Sequence, residues 1–147
     1  YMPFVIKETA MPHVVPIAAR AADFSPEPIS YAEAGALLRA SLNLFRLWNL
    51  TDAEAAILLD VAPRTFARWK AGNPGRIDRD QRTRMSNLMG IHKALRLIFK
   101  EADRAYAWVR KPNAAFGDKT ALAVMLNGEL TDLMRVRRYL DAERGAW

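Results

Sequence analysis

The segment between residues 50 and 75 carries start and stop signals for two short helices, and it constrains the fold more than any other part of the chain. Thr51-x-x-Glu54 is a capping box, in which the Thr side chain accepts a backbone N–H and the Glu side chain accepts the Thr amide. Leu50 stands before it in the position of a hydrophobic staple. Pro63 suits the first turn of a following helix, and Gly-Asn-Pro-Gly at 72–75 ends that helix. The sequence therefore predicts two short helices joined by a turn of three residues.

The second of these helices has one apolar face and one cationic face, which is typical of a helix-turn-helix motif. Phe66 and Trp69 are three residues apart, so they share a face that must point inward. Arg64, Thr65 and Arg68 fall on the opposite face. Arginine can make two hydrogen bonds to guanine, and threonine can contact a thymine methyl group or a phosphate. We therefore predict a helix-turn-helix over residues 51–71 that places these three residues in a DNA major groove.

Two positions depart from the usual helix-turn-helix motif, whereas the distribution of charge along the chain supports the motif. Asp60 stands where the turn commonly has Gly, and Ala62 offers no side-chain cap to the second helix. The chain has a net charge of +6, and the stretch 64–84 alone has seven basic and two acidic residues. A basic run is often only a solvated face, but this one coincides with the motif. Further phosphate contacts are predicted, in a salt-dependent interaction, at Lys70, Arg76, Arg79 and Arg82.

Helical patterns continue on both sides of this motif and predict an all-α fold. Ser30-x-x-Glu33 is another capping box, and Asp78-x-x-Gln81 opens a long pattern of apolar residues at helical spacing. We expect Gly90, or the region near Asp103, to break that pattern. His92 lies on its apolar stripe and is interpreted as a packed, hydrogen-bonded core or boundary residue.

The last third alternates helical stretches with clear stop signals and contains no catalytic constellation. One helix ends near Trp108, because Lys111 precedes Pro112 and is pushed out of the helical region. A loop at Asn113, a turn at 116–117, a short helix, a stop at 127–128 and a final helix follow. Interface-forming residue types, Trp, Tyr and Arg, recur along this stretch.

Composition excludes several classes of function. The chain has no cysteine, and its two histidines lie far apart without metal-ligand spacing, so we expect no metal, no cofactor and no enzyme. No apolar run approaches the length of a membrane span and no signal-peptide pattern is present, so we expect a cytoplasmic protein. Five of the eight prolines fall in the first 28 residues, which predicts an extended arm. This arm either lies on its own domain or reaches a partner chain.

The order of parts resembles the Xre/MbcA/ParS-type antitoxins, over residues 31 to 145. The resemblance is carried by Leu50-Thr51-x-x-Glu54-Ala55, by Leu59-x-Val61-x-x-x-Thr65-x-x-x-Trp69, and in the last third by Trp108, Pro112-Asn113, Phe116-Gly117, Leu122, Met125, Gly128, Val136 and Leu140. Thr120-Ala121 departs from the family, which often has Pro after the Thr or Ser. We therefore expect an Xre-like helix-turn-helix domain at 30–77, connecting helices at 78–107 and a toxin-binding domain at 108–147, preceded by the arm at 1–29, which lies outside the resemblance.

This resemblance implies an antitoxin of a type II toxin–antitoxin system. Its expected partners are a RES-domain toxin that consumes NAD or ADP-ribosylates a target, operator DNA, and a second copy of the chain in a homodimer. The predicted toxin-binding residues are Arg110, Asn113, Phe116, Arg135, Arg138, Tyr139 and Trp147. We favour Trp147 as an anchor in a toxin cleft, because it follows Gly145 and has little core available. For Trp108 and Phe116, closure of the local core is the favoured alternative. The alternative function is a stand-alone helix-turn-helix transcriptional regulator.

Overall fold

Residues 31–145 are described by the structure, which is a computed structural model, and they form helices joined by short turns. The α-helices are α1 (Tyr31–Leu47), α2 (Asp52–Leu59), α3 (Pro63–Lys70), α4 (Arg79–Ile98), α5 (Ala102–Ala107), α6 (Ala121–Met125) and α7 (Leu130–Gly145). Short 3-10 helices lie at Trp108–Arg110 and Ala114–Phe116, and β1 (Pro112–Asn113) pairs antiparallel with β2 (Lys119–Thr120). The predicted all-α class is confirmed for this part of the chain, whereas the N-terminal arm and Ser30 lie outside it.

The first half of the described chain is a bundle in which α2 and α3 form the predicted helix-turn-helix. Thr51 accepts a hydrogen bond from the Glu54 amide at 3.1 Å, and Glu54 accepts one from the Thr51 amide at 2.9 Å, so the capping box is present. Asp60 adopts the left-handed conformation that the turn needs, with φ 54°. Ala62 starts α3 without a side-chain hydrogen bond, as the sequence predicts.

Helix α4 begins at the residue that the sequence predicts, but without a side-chain cap. Asp78 occupies the N-cap position, and its side chain makes no capping hydrogen bond. The helix runs unbroken through Gly90, where an added Cβ would overlap the guanidinium group of Arg137 on α7. The break lies at 99–101, close to the second of the two predicted positions, where Phe99 becomes extended before α5 begins.

The second half packs as a small helical module on α4, mainly through α7. Leu133, Val136 and Leu140 of α7 are buried together with Leu88 and Ile91 of α4. Thr120 caps α6 by accepting a hydrogen bond from the Ala123 amide at 2.9 Å. The departure from proline at position 121 therefore leaves the start of this helix intact.

His92 lies on α4 beside α5, where its ring stacks on that of Tyr106 at a centroid distance of 5.7 Å. The packed position is confirmed, but the hydrogen bonding is not: Nδ1 is buried and has no partner within the described residues. Burial, together with the nearby Arg96 guanidinium, lowers the pKa of His92 below its ordinary value. Within 31–145, no helix is both long and apolar enough to cross a membrane.

Candidate binding surfaces

Helix α3 presents the cationic face that the sequence predicts. Phe66 and Trp69 are each only 3% exposed and pack into the bundle. Arg64 and Arg68 are exposed on the other side, and neither forms a hydrogen bond or ion pair with any described residue. Thr65 is half-buried between the two faces. Two unpaired guanidinium groups therefore project from a helix whose orientation is fixed by two buried aromatic rings.

The remaining basic residues of this region differ in how far they are free to meet phosphate. Arg79 is exposed and unpaired within the described chain, and Arg76 has a side chain that is 91% exposed, 3.7 Å from Asp78. Lys70 forms an exposed ion pair with Asp52 at 2.9 Å, which a phosphate could replace at little cost.

Arg82 has a structural contact instead of a free guanidinium group. Its Nη1 donates a hydrogen bond to the Ile77 carbonyl at 2.6 Å, and the residue is half-buried. Ile77 is itself 7% exposed, so the two residues fix the loop between α3 and α4. We therefore assign Arg82 to the support of the loop between α3 and α4. Arg76 and Arg79 remain the candidate phosphate contacts near this loop.

An aromatic cluster joins α7 to the region that follows α5. The Tyr139 ring stacks on Trp108 at a centroid distance of 6.1 Å, and Phe116 packs edge-on against Tyr139 at 5.3 Å. Phe116 is 4% exposed, whereas Trp108 and Tyr139 are half-buried. This burial corrects the prediction that Phe116 contacts a partner directly: its ring belongs to the core of the module, and Trp108 and Tyr139 provide the accessible aromatic surface.

Beside this cluster, residues 112–120 form a tight hairpin with several internal backbone hydrogen bonds. The Asn113 side-chain oxygen accepts a hydrogen bond from the Ala115 amide at 2.8 Å, so Asn113 shapes the hairpin. Gly117 and Asp118 both adopt left-handed φ values, 64° and 65°. The buried Phe116 ring holds the hairpin on the module, and small residues are exposed at the tip of the hairpin.

Arg135 and Arg138 are exposed on α7 next to the cluster. The Arg135 guanidinium lies over the Phe116 ring at 5.3 Å and its Nη2 approaches the Ala115 carbonyl at 3.4 Å. Arg138 makes no contact of this kind with the described residues. Arg135 is therefore held in a fixed direction, and Arg138 is free to pair with an external group.

Arg110 is occupied within the fold. Its guanidinium donates hydrogen bonds to the Trp48 carbonyl at 3.1 and 2.8 Å and to the Asn49 carbonyl at 2.9 Å. These carbonyls lie at the end of α1, where a helix has unsatisfied acceptors. The structure thus assigns Arg110 to capping α1, whereas the sequence placed it among toxin-binding residues. Trp147 lies outside the described residues.

Arg84 is a residue whose role could not be read from the sequence, where it counted only as part of a basic run. It is 5% exposed, and its guanidinium contacts Leu58 and Gly128 carbonyls and the Asp80 carboxylate. Its spacing of four and seven residues before the apolar Leu88 and Ile91, both buried, was the available signal. Among residues 31–145, no group of three or more His, Asp or Glu side chains could hold a metal ion.

Comparison with known proteins finds similarity along nearly the whole described chain. Residues 27–90 match the antitoxin Xre-like helix-turn-helix domain, and residues 94–145 match the antitoxin Xre/MbcA/ParS C-terminal toxin-binding domain. The uncharacterized protein y4oB of Sinorhizobium fredii is 38% identical over 115 residues, which cover 78% of this chain and 88% of that protein.

A similar fold occurs in a chain of the crystal structure of the M. tuberculosis MbcT–MbcA toxin–antitoxin complex. The TM-score is 0.51 at 25% sequence identity, and the alignment covers 75% of this chain and 95% of that one. The similarity therefore extends over both the bundle with α3 and the module with α7.

Proposed function

The chain belongs to the Xre/MbcA/ParS antitoxin family, and on that premise we propose that it neutralises a RES-domain toxin and represses its own operon. In this proposal the C-terminal module binds the toxin and occludes its active site, where NAD is consumed or ADP-ribose is transferred. The helix-turn-helix binds operator DNA as part of a homodimer. The chain itself performs no catalysis.

The observation that carries this proposal is the presence of two separate surfaces with exposed arginines. On α3, Arg64 and Arg68 are free of partners among the described residues while the opposite face is buried. On α7, Arg135 and Arg138 flank the half-buried Tyr139. One surface suits the edges of bases and phosphates, and the other suits a protein partner that offers carboxylates and an apolar pocket.

Isolation of the chain from cells that express its native operon tests the toxin partner. We expect one stoichiometric co-purifying protein whose NAD-consuming activity appears when the complex is dissociated. A folded chain that purifies alone, and whose operon encodes no such protein, would instead support the stand-alone regulator.

Paired substitutions on α7 test the proposed toxin surface. Arg135→Ala combined with Arg138→Ala should weaken toxin binding at least tenfold, because arginines at an interface commonly contribute more than about 1 kcal/mol each. Arg144→Ala, an exposed arginine in the last turn of the same helix, is the matched control and should leave affinity within about twofold. Equal effects of the two variants would contradict this surface. Removal of residues 146–147 tests Trp147 in the same assay, with weaker neutralisation expected.

Substitutions on α3 test operator binding with a duplex taken from directly upstream of the coding sequence. Arg64→Ala and Arg68→Ala should each reduce affinity at least fivefold, since a bidentate contact from arginine to guanine contributes about 1–3 kcal/mol. Arg39→Ala, an exposed arginine on α1, is the control. Toxin binding should be unchanged in all three variants. An operator affinity that depends equally on Arg39 would show that binding is only a general effect of positive charge.

A further inference from the structure

Arg84 occupies a buried position between the helix-turn-helix and the C-terminal module. Its Nη1 donates hydrogen bonds to the Leu58 carbonyl at 3.2 Å and to the Gly128 carbonyl at 2.9 Å. Its Nε bonds the Asp80 carboxylate on the same helix at 3.0 Å, and its Nη2 lies 4.0 Å from the carboxylate of Asp60. A single guanidinium group therefore joins segments that are up to 70 positions apart in the sequence.

On the side of the helix-turn-helix, the groups that Arg84 contacts belong to the end of α2 and to the turn that sets the direction of α3. Leu58 is in the last turn of α2, where carbonyls lack helical partners, and Asp60 is the left-handed residue of the helix-turn-helix. A glycine in place of Asp60 would satisfy the backbone but would lose the carboxylate near Arg84. The structure thus gives a physical reason for Asp at a turn position that commonly has Gly.

On the side of the C-terminal module, the acceptor of the Arg84 hydrogen bond is the Gly128 carbonyl, in the turn between α6 and α7. Gly128 has φ 90°, and a Cβ added there would lie 3.6 Å from the Ile57 Cγ2 atom of α2. Arg84 thus links α2 to this turn, and Ile57 of α2 lies near the space beside Gly128. Because a buried guanidinium that loses an acceptor is strongly destabilised, a displacement of Gly128 has to be met by movement of Arg84 or of the end of α2.

We propose that Arg84 is a positioning residue that couples the turn at 127–128 to the direction of α3, so that the state of the C-terminal module controls DNA affinity. This inference rests on the proposed binding of DNA by α3. A partner that shifts the turn at Gly128 changes the DNA affinity of Arg64 and Arg68 through Arg84. By linkage, DNA changes the affinity for that partner by the same factor.

Two matched glycine substitutions in the full chain test this coupling. Gly128→Asn adds a side chain beside Ile57 at the Arg84 acceptor, whereas Gly117→Asn adds one in the hairpin, where no atom lies within 4 Å of the new Cβ. Gly117 has φ 64°, inside the left-handed region that asparagine tolerates, whereas Gly128 has φ 90°, outside it. Gly128→Asn therefore strains the backbone of the turn at the Arg84 acceptor, and Gly117→Asn introduces the same side chain without that strain. The probes are the upstream duplex and a random duplex of equal length.

We expect Gly128→Asn to lower affinity for the upstream duplex at least fivefold and Gly117→Asn to change it less than twofold. Arg84→Lys, which keeps the charge but lacks the planar fork, should reproduce the loss. Equal affinities for Gly128→Asn and Gly117→Asn, or an Arg84→Lys variant that binds like the wild type, would overturn the proposal.

Amide hydrogen exchange separates this inference from the proposed function. The Asp60 and Val61 amides bond the carbonyls of Ile57 and Ala56, so their exchange reports on the turn without DNA. Gly128→Asn should accelerate their exchange at least fivefold more than Gly117→Asn does. If the wild-type chain binds neither duplex, DNA binding by α3 is refuted. Equal acceleration in both variants refutes the coupling whether or not DNA binds.

Discussion

Substitution of Phe116 by Ala discriminates between a core residue and a partner contact. The ring is 4% exposed and packs edge-on against Tyr139 at 5.3 Å and against Trp108 at 6.4 Å. Removal of a buried Phe side chain costs about 3–5 kcal/mol, and that range already includes the contribution of neighbouring rings. It also removes the surface on which the Arg135 guanidinium rests. We therefore expect a loss of about 4 kcal/mol in the free energy of unfolding, a large part of the 5–15 kcal/mol typical of a small domain.

Urea unfolding followed by circular dichroism measures this loss as a lower midpoint at an unchanged slope. Leu97→Ala is the control, because that apolar side chain is 60% exposed and its removal should change stability by less than about 0.5 kcal/mol. A loss below about 1 kcal/mol for Phe116→Ala, accompanied by weak partner binding, would refute the core assignment and restore Phe116 as a contact residue.

Three further predictions concern stability. Thr51→Ala removes a complete capping box and should cost about 1 kcal/mol of unfolding free energy, whereas Asp78→Ala, at an N-cap without a side-chain hydrogen bond, should cost less than half of that in the same urea titration. Arg110→Met removes three hydrogen bonds to the end of α1 and should cost about 1–2 kcal/mol without a change in toxin affinity beyond about twofold; a larger loss of affinity would return Arg110 to the binding surface. Because the folded pKa of His92 lies below its unfolded value of 6.5, the unfolded chain binds more protons in mild acid. The contribution of neutral His92 to stability is complete above pH 6.5 and is lost as the pH falls through the folded pKa. In the His92→Gln variant, the melting temperature should therefore depend less on pH below 6.5. An unchanged pH profile would assign the dependence to other groups.

The helix boundaries followed from local chemistry wherever a specific side chain fixes them. Thr51 and Glu54 form a capping box in the sequence and in the structure, and Pro63 begins α3 as expected. The faces of α3 were also predictable, since Phe66 and Trp69 have to share a side of the helix. These features depend on residues that are close together in the chain.

The errors concern residues whose partners are distant in sequence. Gly90 looks like a helix breaker until Arg137, 47 positions later, is known to pack against it. Arg110 is exposed as expected, but its hydrogen bonds to the end of α1 are visible only in the structure. Arg84 is similar, because periodicity places it near the core but does not reveal which carbonyls it meets. Tertiary contacts of this kind leave no local pattern.

The close approach of α4 and α7 at Gly90 limits how this protein can be recombined with its relatives. The two matched domains, at 27–90 and 94–145, meet inside α4, so a chimera made at that boundary would join two halves of one continuous helix. The donor of the second half would also have to supply, at the position of Arg137, a side chain that packs beside Gly90. The two parts of the chain therefore have to be exchanged together with their shared helix, and their binding specificities are expected to change as a pair rather than independently.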